Sequence, residues 1–243
     1  VSCVLYIMKY FTLFFAFFTF GLYAFESTNI QLLHSNSFNG NSFVYDTQDG
    51  KKTTVTLEHY RTFSLGDFFM FVDIADGKKF DNRDTDIYAE FGPRLSFSKM
   101  LDKDFSFGII KDIYIATQLE KAFDKGDHYR AFLYGLGLDF ELPFLNVASL
   151  NIYHKTDNFN SDNTYQVTAV YASQEFNGLH FEGFIDKTKR DFSTQNQILY
   201  NLDSFFHKDG NLYVGIEYLY YDYDYRGAHS KTNALQGMIK YSF

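Results

Sequence analysis

Cysteine is all but missing: a chain of 243 residues has one, Cys3. A lone thiol excludes a disulfide framework, and its loss with an exported leader would also exclude a thiolate metal site and a cysteine nucleophile. Tryptophan is absent, and only Pro93 and Pro143 interrupt the backbone. Basic stripes are missing too. The formal net charge is −8 and the densest basic run is "DKTKR", so no surface is available to neutralise phosphates and nucleic acid is excluded as a partner. There is no G-x-S-x-G, His128 in "DKGDHYR" is a loop histidine beside acids, and the seven histidines, including His34, His154 and His180, show no metal-ligand spacing. We therefore expect no enzyme, no cofactor and no metal, and place the histidines in a polar lumen or in loops.

What is abundant is phenylalanine, 30 residues, and tyrosine, 20. These rings are dispersed among polar residues, which suits strands. The one long apolar stretch stands at the front. Lys9 is followed by "YFTLFFAFFTFGLYA" and then by the polar "FESTN". A positive start, an apolar core and a small residue, Ala24, read as a signal peptide over 1–24, with Met8 as the true start and 25–243 as the mature domain. A single membrane anchor is the alternative for this segment.

From residue 25 onward apolar and polar residues alternate with a period of two. In "IYAEFGPRLSF", Ile87, Ala89, Phe91, Pro93 and Leu95 share one face, and Tyr88, Glu90, Gly92, Arg94 and Ser96 the other. The pattern predicts strands near 27–35, 53–63, 67–75, 86–97, 104–119, 129–140, 146–156, 163–172, 178–187, 193–203, 211–222 and 232–243. Turn-formers such as "TQDGKK", "TDNFNSDN" and "HKDG" separate them. About twelve strands of membrane-spanning length form an even set.

Alternation alone permits a soluble sandwich or small barrel with its apolar face inside, or a membrane barrel with that face against lipid. The export signal, the charged residues Glu90, Arg94, Asp112, Glu182, Glu217 and Lys240 on the polar faces, and the aromatic strand ends favour the second. The expected fold is all-β: a single transmembrane antiparallel β-barrel of about twelve strands in the bacterial outer membrane, in contact with its lipid. The terminal "KYSF" resembles the closing-strand signal of outer-membrane barrels. That implies that Phe243 is read by the barrel-assembly machinery and sits at the periplasmic rim, with the last strand pairing to the first near "TNIQLLHS".

The stretches "TVTLEHYRTFSLGDFFMFVDIAD", "IYAEFGPRLSFSKMLDKDFSFGIIKDIYIAT" and "YGLGLDFELPFLNVASLNIYHK" resemble, in order and spacing, the Tsx family of nucleoside-specific outer-membrane channels, including OmpK-like proteins. The resemblance runs from Thr53 to Lys155 and is weaker but collinear beyond. The family is commonly rich in tryptophan where this chain has Phe or Tyr. It implies a narrow barrel that passes nucleosides by facilitated diffusion. A nucleoside needs rings to stack its base and polar groups to bond its sugar. Inward candidates by parity are Phe69, Phe71 and Asp73 on one strand and Tyr88, Glu90 and Arg94 on the next, joined by Glu58, Tyr60, Tyr114, Asn151, Tyr153 and Glu217. The bland reading makes Glu90 with Arg94, and Lys111 with Asp112, ion pairs that neutralise the lumen, and Pro93 a local ladder break. The alternative function is a general pore, or a receptor or adhesin that engages partners such as phage through its surface loops.

Overall fold

The computed structural model describes residues 25–40, 47, 49–77, 85–123, 129–160, 162–202 and 211–243. The leader expected over 1–24 and the loop holding His128 lie outside these residues. Twelve antiparallel strands form one closed sheet: β1 (Glu26–Ser35), β3 (Lys52–Phe63), β4 (Gly66–Asp76), β5 (Thr85–Ser96), β6 (Ile110–Ala122), β7 (Arg130–Phe140), β8 (Leu145–Asp157), β9 (Thr164–Ser173), β10 (Leu179–Thr188), β11 (Asp191–Asn201), β12 (Leu212–Tyr225) and β13 (Ala228–Ser242). A two-residue segment, β2 (Asn39–Gly40), pairs with β13 at Asn233 and Thr232, on the edge that β1 also uses, and so prolongs the β1–β13 seam.

Each strand pairs with the next, and β1 pairs with β13 from Asn29↔Ser242 to His34↔Gly237, so the wall has no free edge. The final residue joins in: the Phe243 amide donates to the Thr28 carbonyl at 2.8 Å. With an even number of strands, the start of β1 and the end of β13 lie at the same end of the barrel. Strands of 10 to 15 residues are long enough to cross a bilayer when tilted.

Burial is inverted relative to a water-soluble barrel. Leu57, Leu119, Leu136, Ile152, Ile198 and Leu235 are exposed on the outside, whereas Gln31, Gln166, Glu217, Gln236 and Lys155 are buried inside. Lipid is the solvent that makes the first set favourable, and internal hydrogen bonding is what makes the second tolerable.

The sequence pattern and the structure part in three places. The strand expected at 104–119 begins at Ile110. Before it, Ser96 caps a short helix, α1 (Phe97–Leu101), accepting from the Lys99 amide, and Phe107 and Ile110 pair as an isolated bridge around Gly108, whose φ is 59°. The alternation of Phe105, Phe107 and Ile109 therefore belongs to a rim hairpin. Secondly, His34 and His154 are not lumenal. His34 is exposed and bonds Thr53 and Asn36, and His154 lies between Tyr134 and Tyr165 in an outer ring of aromatics. His180 does face inward, bonded to Glu182. Thirdly, neither expected ion pair forms, as described below. At Gly92 and Pro93 the β5–β6 ladder lapses between Phe91↔Leu119 and Arg94↔Ala116 without losing register, as a proline without an N–H requires.

Candidate functional site

All eleven candidate residues of the site, and Tyr60 with them, fall on the inward parity of their strands, at varied depths and on different sides of the lumen. On β4 and β5 three rings follow one another. Phe69 and Phe71 have centroids 6.1 Å apart, and Phe71 and Tyr88 5.9 Å apart. Phe69 points inward yet is 41% exposed, because the residue across from it on β5 is Gly92, which puts no side chain over the ring. The aromatic face is thus presented to the lumen.

Arg94 stands towards the end that carries Glu26 and Phe243. Its guanidinium binds Asp67 through Nε and Nη2, both at 2.8 Å, and Asp139 through Nη1 at 2.7 Å and Nη2 at 3.2 Å. It lies 4.2 Å from the Tyr114 ring centroid, Tyr60 donates to Asp67, and Ser149 donates to Asp139. One cation thereby joins β4, β5 and β7 in a fork-to-fork geometry that only arginine offers. Gly137 makes room here: it pairs with Tyr114 on one side and Asn151 on the other, and Gly135 pairs with Tyr153.

Glu90 does not pair with Arg94. It accepts from the Tyr88 hydroxyl at 2.7 Å and from Gln118 Nε2 at 2.8 Å. Gln118 also reaches Glu120, which receives Tyr129 and Lys155. Lys155 continues to Gln166, Gln166 to Thr168, and Thr168 to Asp186. Asp112 likewise ignores Lys111, which is exposed, and accepts from Ser96 and Ser98 instead.

Glu58 belongs to another group. Lys240 approaches it at 3.7 Å while bonding Glu182, and Asn29 donates to it at 2.8 Å. Glu217 accepts from Gln197 and Gln236, both at 2.8 Å, and Asp73 accepts from Thr56 at 2.6 Å. The structure therefore adds lumen residues that composition did not single out: Asp67, Gln118, Glu120, Asp139, Lys155, Gln197 and Gln236. Their inward parity was readable, but their partnerships depend on which strands become neighbours. The resulting lumen holds a strip of rings beside chains of carboxylates, amides and hydroxyls, chemistry that suits a small, flat, hydroxyl-bearing solute.

Comparison with known proteins shows the family and the fold. The family described as "Nucleoside-specific channel-forming protein, Tsx" matches residues 28–240. The chain is 29% identical over 106 residues to the outer membrane protein OmpK of Vibrio parahaemolyticus, covering 41% of this chain and 40% of OmpK. To the OmpK of the serotype O3:K6 strain it is 24% identical over 177 residues, 63% of this chain and 65% of that protein. It is 28% identical over 112 residues to the nucleoside-specific channel-forming protein Tsx of Escherichia coli O157:H7, covering 41% and 38%. The chain thus spans less than two thirds of the length of these relatives. Among solved structures, the KdgM porin in complex with disordered oligogalacturonate superposes with a TM-score of 0.50 at 12% identity, covering 89% of this chain and 99% of that one, a likeness of fold.

Proposed function

We propose that this chain, which belongs to the Tsx family of nucleoside-specific channel-forming proteins and is an outer-membrane β-barrel, carries nucleosides down their gradient through its lumen. The observation that carries the reading is the strip Phe69, Phe71 and Tyr88, with Phe69 uncovered by Gly92 and Glu90 held beside it by Tyr88 and Gln118. A base stacks on the rings. The sugar hydroxyls exchange hydrogen bonds with Glu90 and, deeper, with the carboxylates that grip Arg94. Arg94 fixes those carboxylates so that they need no rearrangement when a solute arrives. Facilitated passage requires several modest sites in series, since one tight site would hold its ligand. The start of β1 and the end of β13 lie on the periplasmic side in this reading, and Phe243 is the residue engaged during assembly.

The deciding experiment is planar-bilayer conductance of the refolded chain with and without nucleosides. A nucleoside-dependent fall in small-ion current is expected, and an unaltered current at millimolar nucleoside would refute the reading.

A further inference from the structure

The lumen's charges are unequally matched. Among the described residues, four inward cations form ion pairs, Arg94 with Asp67 and Asp139, Lys155 with Glu120, Arg190 with Asp157, and Lys240 with Glu182 and Glu58, and a fifth, Lys52, is buried at the start of β3 with its ammonium 5.3 Å from the Phe38 ring centroid. Several inward carboxylates receive hydrogen bonds from neutral donors alone, among them Asp73 from Thr56, Glu90 from Tyr88 and Gln118, Asp186 from Thr168, and Glu217 from Gln197 and Gln236. An anion entering this wall meets cations that are all occupied, and a cation meets carboxylates that are not.

A second observation singles out Glu217. It is 3% exposed, and so is Gln236, while Gln197 is 8% exposed. Both glutamines spend their amide N–H on Glu217, and Gln197 also donates to Gln31. Their carbonyl oxygens are left buried with no donor. Buried acceptors ordinarily find a donor, and those that do not call for an explanation. Here two orphaned carbonyl oxygens flank a carboxylate in one place, an oxygen-rich set in which Gln197 has spent both of its amide hydrogens. The partner that such a set lacks is a cation, and carboxylates and carbonyls are the groups with which cation pores replace a hydration shell.

We propose that the lumen conducts small monovalent cations in preference to anions, with Glu217 and the carbonyl oxygens of Gln197 and Gln236 as a resting place for the ion. The inference does not depend on nucleoside passage. An ion follows the unmatched carboxylates whether or not a base stacks on the rings.

The test is the reversal potential of the full chain in a planar bilayer under a potassium chloride gradient, with no nucleoside present. A potassium-to-chloride permeability ratio of about ten or more is expected, because an unmatched carboxylate a few ångströms from the ion path favours the cation by more than one tenfold step at interior dielectric values. Glu217→Gln should lower the ratio several-fold, and Glu217→Lys should lower it further. Glu26→Gln, an outward carboxylate at the rim, should leave it unchanged. A wild-type ratio near or below one overturns the proposal, and an unaltered ratio in a folded Glu217→Gln barrel removes Glu217 as the resting place. Heat-modifiable migration establishes that each variant is folded. If the Glu217 variants do not assemble, Asp186→Asn must lower the ratio for the proposal to stand. Nucleoside block of the current, measured separately, survives a failure here.

Discussion

At the scale of the residue, two substitutions separate the roles of rings and charges. Stacking on an aromatic side chain is worth roughly 1 to 3 kcal/mol per base in single-stranded nucleic-acid binders, so Phe71→Ala should weaken nucleoside block by up to about two orders of magnitude. Phe91→Leu, on the lipid face of the neighbouring strand, should leave the block as it is. Arg94→Ala makes a different demand, because it leaves Asp67 and Asp139 facing a lumen without their shared cation. Removing one partner of a buried ion pair costs about 3 to 5 kcal/mol, so the variant should unfold at distinctly lower temperature in a heat-modifiability series. Equal melting of Arg94→Ala and wild type would mean that the clamp contributes nothing. The inward set was legible in the sequence because parity is a local property. The pairings were not. Glu90 and Arg94 share a face but sit four residues apart, about 13 Å along a strand, whereas adjacent strands lie only about 4.8 Å apart. Lys111 and Asp112 are consecutive, so their side chains leave opposite faces of the sheet. Charges in a barrel find partners across strands, and Asp67 and Asp139 were too distant in sequence to be connected with Arg94 beforehand.

At the scale of the element, β7 shows how a strand makes room for its neighbours. A Cβ placed on Gly135 would lie 1.9 Å from the Ile152 carbonyl oxygen, and one on Gly137 would lie 2.4 Å from Asn151 Oδ1. Gly135→Val should therefore disrupt the β7–β8 ladder and cut the yield of folded barrel, read as the fraction of heat-modifiable protein, while Leu136→Val, one residue on and facing lipid, should assemble normally. Comparable yields from the two would show that β7 tolerates a side chain there. Strand existence was legible throughout, since eleven of the twelve expected segments lie within a few residues of those observed. The exception is instructive. Alternating Phe105, Phe107 and Ile109 imitate a strand, but Asp102 at φ 50° and Gly108 at φ 59° turn the chain twice, and Ser98 and Asp112 secure the short helix against the start of β6. Periodicity reports which face a side chain takes and is silent on where a ladder starts.

At the scale of the whole molecule, apolar surface outside and polar groups inside commit the chain to a bilayer. It should fractionate with outer membranes and migrate differently before and after heating; recovery as a soluble periplasmic protein would contradict the inversion of its faces. Replacing Phe243 with Asp should lower assembled barrel while synthesis continues. The direct cost of a charge near the interface is only about 0 to 1 kcal/mol, so a large loss would have to come from assembly itself, and normal yield would remove Phe243 from that process. The pairing of β1 with β13 has one more consequence. Ile30 and Tyr241 are partners across the seam, so the first strand to be synthesised must wait for the last before either has both of its neighbours. Until then every intermediate carries two unsatisfied edges, however far the ladders between them have formed. The timetable of this protein is set by its final strand: it must be kept from pairing with itself or others from the moment β1 appears until β13 arrives.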